Sequence, residues 1–478
     1  MQKVLIHIVK KYLISLVFSL CIVWDASGEE KSISLFATSD LHGNIDSDDA
    51  GILRLATVLE KEVTAAGGCE KSIILDCGDF SQGSVEASLT GGKIIFELLN
   101  YLHYDVIVPG NHDFDYGLDK LVANQKEISS EMLCGNLLLS DAKNPFRGWK
   151  LITKNGLKIA IIGLTYPGVE GIDRISNLSY KTGSINDAIK KILHEILLSE
   201  KPDLIVLSVH GGLYNSGWSL KNIIRKFPEI DIVFAGHTHE KFPGKLLYNH
   251  TYFIQTGSSA EYLGEATVKI RDGRKEINSR LIPVSGATVD SELADRFKSS
   301  LDNIKIEKEK IVVYFKSKVD LNQLAMDSML KETKADVAIF GLSGSFKSMK
   351  GEIKYKDVFS AIPYEDMIAT MIVNKNELKI ILQELYSYIK KKKKYKRVLY
   401  AGFSLEQVRG KVGALKFDKK NLDEEKIQLV FSSYYVEYPG NKFPEIRKIA
   451  KNRGSEYRNT GILIRDALLT ALRNYGRL

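Results

Sequence analysis

Two carboxylates, one carboxamide and four imidazoles stand at short intervals in the first half of the chain: Asp40 and His42, Asp79, Asn111, His210, and His237 and His239. They lie in five polar stretches, Ser39-Asp40-Leu41-His42, Gly78-Asp79, Gly110-Asn111-His112-Asp113-Phe114-Asp115, Val209-His210-Gly211 and Gly236-His237-Thr238-His239. Imidazole mixed with carboxylate suits zinc, manganese, iron or cobalt, whereas calcium favours oxygen alone. Two divalent cations are expected, with Mn2+ or Zn2+ the best fit. If Asp79 is shared, the set divides into two sites. One is Asp40, His42, Asp79 and His239; the other is Asp79, Asn111, His210 and His237. A cation pair about 3.5–4 Å apart lowers the pKa of bound water and brackets an anionic substrate. Singly, an Asp-x-His pair is usually a capped turn and a Gly-His-Thr-His run a surface loop. The inference rests on five such stretches in order.

Each stretch follows an apolar run, so parallel strands ending at one edge would deliver the ligands to one pocket. Strands are expected at Ile33–Thr38, Ser72–Cys77, Asp105–Val108, Leu157–Gly163, Leu204–Val209, Ile232–Ala235 and Tyr252–Thr256, with helices at Leu53–Thr64 and Gly92–Leu102. Glu265–Ile270 alternates and reads as an outer strand closing the domain. This alternation of strand and helix makes the fold class α/β. Asp40 and His42 are read as extended backbone, in which residues i and i+2 face the same way. The chain has 478 residues, too many for one ordinary core. Leu293, Phe297, Leu301 and Ile304 recur at helical spacing, giving a linker helix over 291–310. It divides a domain at 29–290 from a smaller α/β domain at 311–478.

Residues 1–28 read as a leader. Lys3, Lys10 and Lys11 precede an uncharged run from Leu13 to Trp24, and Ala26-Ser27-Gly28 suits cleavage. An exported protein, periplasmic or extracellular, is therefore expected, without stable membrane insertion once the leader is removed. An uncleaved leader would act as an anchor. The leader carries a net +2, so its loss lowers the formal charge from +8 to +6. No basic stripe with interleaved aromatics points to nucleic acid. A small phosphoester is the expected partner, and the oligomeric state is open. Cys69, Cys77 and Cys134 remain after cleavage. Cys77 falls in an apolar strand and reads as a buried, inert thiol; pairing of the other two is left open.

The five stretches, and above all Gly110-Asn111-His112-Asp113-Phe114-Asp115-Tyr116-Gly117, resemble the secreted 5′-nucleotidase/UDP-sugar hydrolase family, in which Glu usually stands at the place of Asp113. The resemblance runs from about Ser32 to the C-terminus. It implies a four-layer αββα calcineurin-like metallophosphoesterase domain joined to a 5′-nucleotidase C-terminal domain. It also implies hydrolysis of nucleoside phosphates, with His112 at the leaving oxygen and Asp115 fixing its tautomer. UDP-sugars, cyclic nucleotides and sugar phosphates are alternative substrates; a non-catalytic metal-binding protein is the alternative from another class.

The second domain departs from that pattern. Relatives carry an Asn and an Arg in a loop that here reads Phe340-Gly341-Leu342-Ser343-Gly344-Ser345-Phe346, so that Phe340 replaces the Asn and Ser345 the Arg. Lys347 can supply only a point charge where a guanidinium would grip an anion bidentately. Tyr364 matches the first base-clamping aromatic and Tyr434 the second, while the family's ribose-holding Asp is absent from Tyr434–Asn441. For both tyrosines, packing is the competing role. The chemistry carries over; the choice of substrate does not.

Overall fold

The computed structural model describes residues 30–140, 143–169, 180–214, 219–248, 250–343, 348–392, 397–408, 411–437 and 442–475. The leader lies outside them. Among the described residues, no helix is long and apolar enough to cross a membrane.

Two six-stranded sheets face each other in the N-terminal domain. The first runs Arg274–Pro283, Tyr262–Arg271, Lys31–Thr38, Ser72–Asp76, Val106–Ile107, Glu131–Met132. The second runs Lys241–Leu247, Thr251–Thr256, Ile232–Ala235, Leu204–Val209, Leu157–Leu164, Trp149–Lys154. The strand period of two sorts the apolar side chains. Ile33, Leu35, Ile73 and Leu75 meet Ile159, Ile161, Val206 and Phe234 between the sheets. Phe36 and Ile74, one residue out of phase, face the outer helices Ile52–Ala66, Lys93–Tyr101 and Leu118–Lys126. Ile162, Leu207 and Val233 face the helix Ile185–Ser199 on the other side. The layering is αββα. Burying each Leu, Ile or Phe of the middle layer contributes roughly 1.5–3 kcal/mol.

Tyr262–Arg271 is not the outermost strand. It lies between Lys31–Thr38 and Arg274–Pro283, antiparallel to both. The outer strand is largely solvent-facing, so its sequence lacks an apolar signature. The linker is two helices, Ser291–Arg296 and Lys298–Glu309, broken at Phe297. Phe297 turns its ring edge-on to Tyr101, at 6.0 Å between centroids, and joins Leu293 and Leu301 against the N-terminal core. At the far end, Glu309 takes both Lys354 and Lys356 of the next domain.

The C-terminal domain carries a mixed sheet in the order Arg397–Ala401, Val337–Ser343, Ile427–Ser432, Met367–Val373, Arg458–Leu463. The helix Lys375–Lys392 packs on one face, and Leu321–Thr333 and Ile464–Tyr475 on the other. Cys69, Cys77 and Cys134 are all free thiols, Cys69 exposed and the others buried. Burial pushes the Cys77 thiol well up and that of Cys134 to about 12, so neither is a thiolate at neutral pH.

Candidate metal centre

The strand ends are level. Thr38 pairs with Asp76 and Asp76 with Ile107 in one sheet; Leu164 pairs with Val209 and Val209 with Ala235 in the other. The loops that follow therefore emerge together at one edge of the sandwich. Backbone bonds lock them: Asp40 N–H donates to Gly78 O (2.8 Å) and His42 N–H to Asp79 O (2.8 Å). Gly78 is needed here, since a Cβ on it would stand 2.4 Å from Gly110 N.

Asp40 and His42 do face the same way, but not as extended backbone. Their φ angles are 52° and 48°, in the left-handed region, and Asp79, His237 and His239 share it at 58°, 76° and 56°. Asp, Asn and His are the side chains that enter this region most readily after glycine. Five of the seven expected ligands thus sit on a backbone that turns sharply at the ligand itself.

Two clusters result. Asp40, His42 and His239 form one; Asp79, His210 and His237 form the other; within each, the ligand atoms lie within 4.8 Å of one another. In the first, Nε2 of His42 is 3.1 Å from Nε2 of His239, which is 3.4 Å from Asp40 Oδ1. In the second, His210 Nε2 is 3.2 Å from Asp79 Oδ2, and His237 Nδ1 is 2.8 Å from Asn111 Oδ1.

The tautomers fit a cation. His210 Nδ1 donates to Cys77 O (2.8 Å) and His42 Nδ1 to Gln82 O (3.1 Å), because a carbonyl can only accept. Each ring then turns a bare Nε2 lone pair inward, and the buried Nε2 of His210 has no hydrogen-bond partner. The His210 lone pair facing the Asp79 carboxylate at 3.2 Å calls for a proton or a cation between them. The same demand shows in the titration. Burial disfavours a charge on His210, yet Asp79 outweighs it and raises the imidazole to about 9. Burial opposes ionisation of Asp79 too, but His210 and His112 hold its carboxyl well below the usual range. Burial, aided by His210, depresses His237 to about 3, keeping it the neutral ring that a ligand must be.

His112 stands beside the clusters, its ring centroid 5.7 Å from that of His42. Its Nδ1 is 2.9 Å from Asp115 Oδ2, and its backbone N–H donates to Asp79 Oδ1 (2.7 Å). Burial works against its charge, but Asp115 and Asp79 together raise it to about 10. Tyr364, half exposed, stacks on this imidazole at 6.0 Å between centroids and 27° between planes. Tyr434 is elsewhere, on the short helix Tyr434–Glu437, edge-on to Tyr435 and Phe443, with its hydroxyl 3.0 Å from Lys442 Nζ. Ser345 and Lys347 lie outside the described residues.

Three residues here escaped the sequence reading. Asp113 is buried and accepts from the backbone N–H groups of Asp79 (2.8 Å), Gly110 (2.7 Å) and Ser81 (2.8 Å), and from Ser81 Oγ (2.6 Å). It ties two ligand loops together. Tyr166 stacks on His237 at 4.1 Å. Gln82 fixes His42 through its carbonyl. Asp113 at least was visible as the residue between two functional neighbours in one motif; the others carried no signal.

The chain resembles known proteins along most of its length. Residues 33–241 match the calcineurin-like phosphoesterase model, and residues 280–445 match the 5′-nucleotidase C-terminal domain. The chain is 26% identical to the 5′-nucleotidase of Vibrio cholerae over 93% of its own length and 90% of that protein. It is 26% identical to protein UshA of Yersinia enterocolitica over 91% of its length and 90% of that protein. Among solved structures, the 5′-nucleotidase precursor of Thermus thermophilus shares the fold with a TM-score of 0.67, at 17% identity, covering 93% of this chain and 97% of that one. The chain belongs to the family of calcineurin-like phosphoesterases that carry a 5′-nucleotidase C-terminal domain.

Proposed function

We propose that this protein is an exported, two-metal phosphohydrolase that converts nucleoside 5′-phosphates to nucleoside and phosphate. The observation that carries the reading is the pair of ligand clusters with a hydrogen-bonded His112–Asp115 pair beside them. The 5′-nucleotidase relatives supply the substrate class. Asp40, His42, His239 and Asp79 would hold one divalent cation; Asp79, Asn111, His210 and His237 would hold the other. Bound there, the cations would activate water and neutralise charge on the phosphoryl oxygens. His112, protonated and oriented by Asp115, presents Nε2–H to the departing oxygen. Asp115 holds Nδ1–H and keeps the ring from turning. Residues 29–290 would supply the chemistry, and residues 311–478, through Tyr364, would meet the leaving group.

A second reading keeps the same centre and gives it another phosphoester. Phe340 is buried in one cluster with Leu399 and Ile353, at the place where the family resemblance implies an Asn that contacts substrate. A panel of AMP, UDP-glucose, a cyclic nucleotide and a sugar phosphate, assayed with Mn2+ and with Zn2+, separates the two. The proposal expects AMP to be preferred and activity to vanish on chelation. Activity that survives exhaustive chelation would refute the two-metal mechanism, and preference for a sugar phosphate would refute the substrate.

A further inference from the structure

The loop that carries Tyr364 is held by a residue a hundred positions away. Arg465, on the helix Ile464–Tyr475, is only 3% exposed. Nη2 of its guanidinium sits against both carboxylate oxygens of Glu365, and Nη1 donates to Ile362 O at 3.1 Å. The two partners flank Tyr364, so one planar group fixes the loop on both sides of the ring. Phe359 packs under the guanidinium, 5.0 Å from its ring centroid.

The same nitrogen reaches the other domain. Arg465 Nη2 donates to Ser88 Oγ (3.0 Å), and Ser88 Oγ lies 3.3 Å from Glu365 Oε1 as donor. Ser88 belongs to the N-terminal helix Val85–Thr90. Six residues earlier, Gln82 donates from Nε2 to Pro363 O (3.2 Å), while its carbonyl accepts from the His42 ring. The segment from Ile362 to Glu365 is thus gripped from its own domain by Arg465 and from the catalytic domain by Ser88 and Gln82. Tyr364 emerges between these grips and lies over His112.

We propose that Arg465 is a positioning residue for the reaction: through Glu365, Ile362 and Ser88 it docks the C-terminal domain so that Tyr364 covers the leaving-group side of His112. Arg465 touches neither the ligand clusters nor the reacting atoms. Its effect passes through Tyr364 and falls on recognition of the leaving group. The kinetic arm of this proposal rests on the nucleotidase reading; the docking arm does not.

Two measurements test it on the full-length protein with its metals restored. In hydrogen–deuterium exchange, Ser88→Ala and Arg465→Lys should speed amide exchange at 362–366 and at 85–90 together, while the core strands 204–209 keep wild-type protection. Unchanged exchange at 362–366 in both variants would overturn the docking role. In kinetics, Ser88→Ala and Arg465→Lys should raise KM for AMP about tenfold more than KM for p-nitrophenyl phosphate, the scale of one lost hydrogen bond. That differential should vanish in a Tyr364→Ala background. Equal effects on the two substrates, or effects that add to Tyr364→Ala, would reduce Arg465 to an ordinary structural residue. Should the wild type hydrolyse p-nitrophenyl phosphate but not AMP, the nucleotidase reading fails and the exchange measurement alone decides the docking.

Discussion

His112 is the residue whose protonation decides turnover in the proposed reaction. Its folded pKa, about 10, lies above the ordinary 6.5. A raised folded value means that the ion pair's contribution to stability is complete below pH 6.5 and is lost as pH rises through about 10. In the loaded enzyme cations on Asp79 would offset part of that carboxylate's pull, so kcat should fall along an alkaline limb that begins below pH 10. His112→Asn should keep both metals, abolish that limb and lower kcat by roughly 10²-fold or more, as measured by a pH–rate profile beside metal analysis. Asp113 makes a different prediction. Asp113→Asn replaces half of an acceptor set that serves four donors with a group that itself donates. Metal affinity should fall about 10- to 100-fold, read by calorimetric titration of the stripped protein, with turnover recovering at saturating metal. These two residues also mark how far the sequence could be read. His112 was legible because its neighbours define a chemical motif. Asp113 was not, because most of its partners, Asp79 N–H and the N–H and hydroxyl of Ser81, lie in a loop thirty-odd residues upstream, and sequence spacing says nothing about which donors lack an acceptor.

The strands and their loops act as one element, and close backbone approach is what joins them. A Cβ on Gly110 would stand 2.2 Å from Asp79 Oδ1 and 2.3 Å from Asp79 N. Gly110→Ala should therefore displace Asp79 and cost more than about tenfold in metal affinity while circular dichroism stays native. The middle layer answers to a different change. Phe234 is 1% exposed between the sheets, and Phe234→Ala should lower unfolding free energy by about 3–5 kcal/mol in a denaturant titration. Apolar periodicity revealed most of the central strands, since both faces of each are covered. It missed the edge strand Arg274–Pro283, whose exposed face carries ordinary polar residues, and the edge strand Lys241–Leu247, which Pro243 and Gly244 interrupt. It also merged the two linker helices, because Phe297 keeps helical spacing in sequence while its ring is drawn out against Tyr101.

At the scale of the molecule, the centre couples metal binding to folding. Its ligands come from both sheets, so unfolding scatters them, and each bound cation stabilises only the native state. Chelation should lower Tm by several degrees, and Mn2+ or Zn2+ should restore it in a concentration-dependent way; a Tm indifferent to metal would contradict the paired clusters. The proposal puts the substrate side in the other domain, and there the sequence was least informative. Tyr364 was singled out by its motif, but Arg465 and Ser88 hold its loop only through the packing of distant helices. The left-handed backbone at Asp40, His42, Asp79, His237 and His239 has a last consequence, for how the centre tolerates change. Each of these positions filters a mutation twice, once by chemistry and once by dihedral angle. Glycine or asparagine fits the angle and forfeits or weakens the ligand, so such variants should fold while lacking metal. Valine or isoleucine fails both filters and should add a folding defect of about 1–2 kcal/mol per site. A mutational scan that scores abundance apart from activity would therefore split these five positions by backbone preference, whereas Asn111 and His210 would split by side-chain chemistry alone.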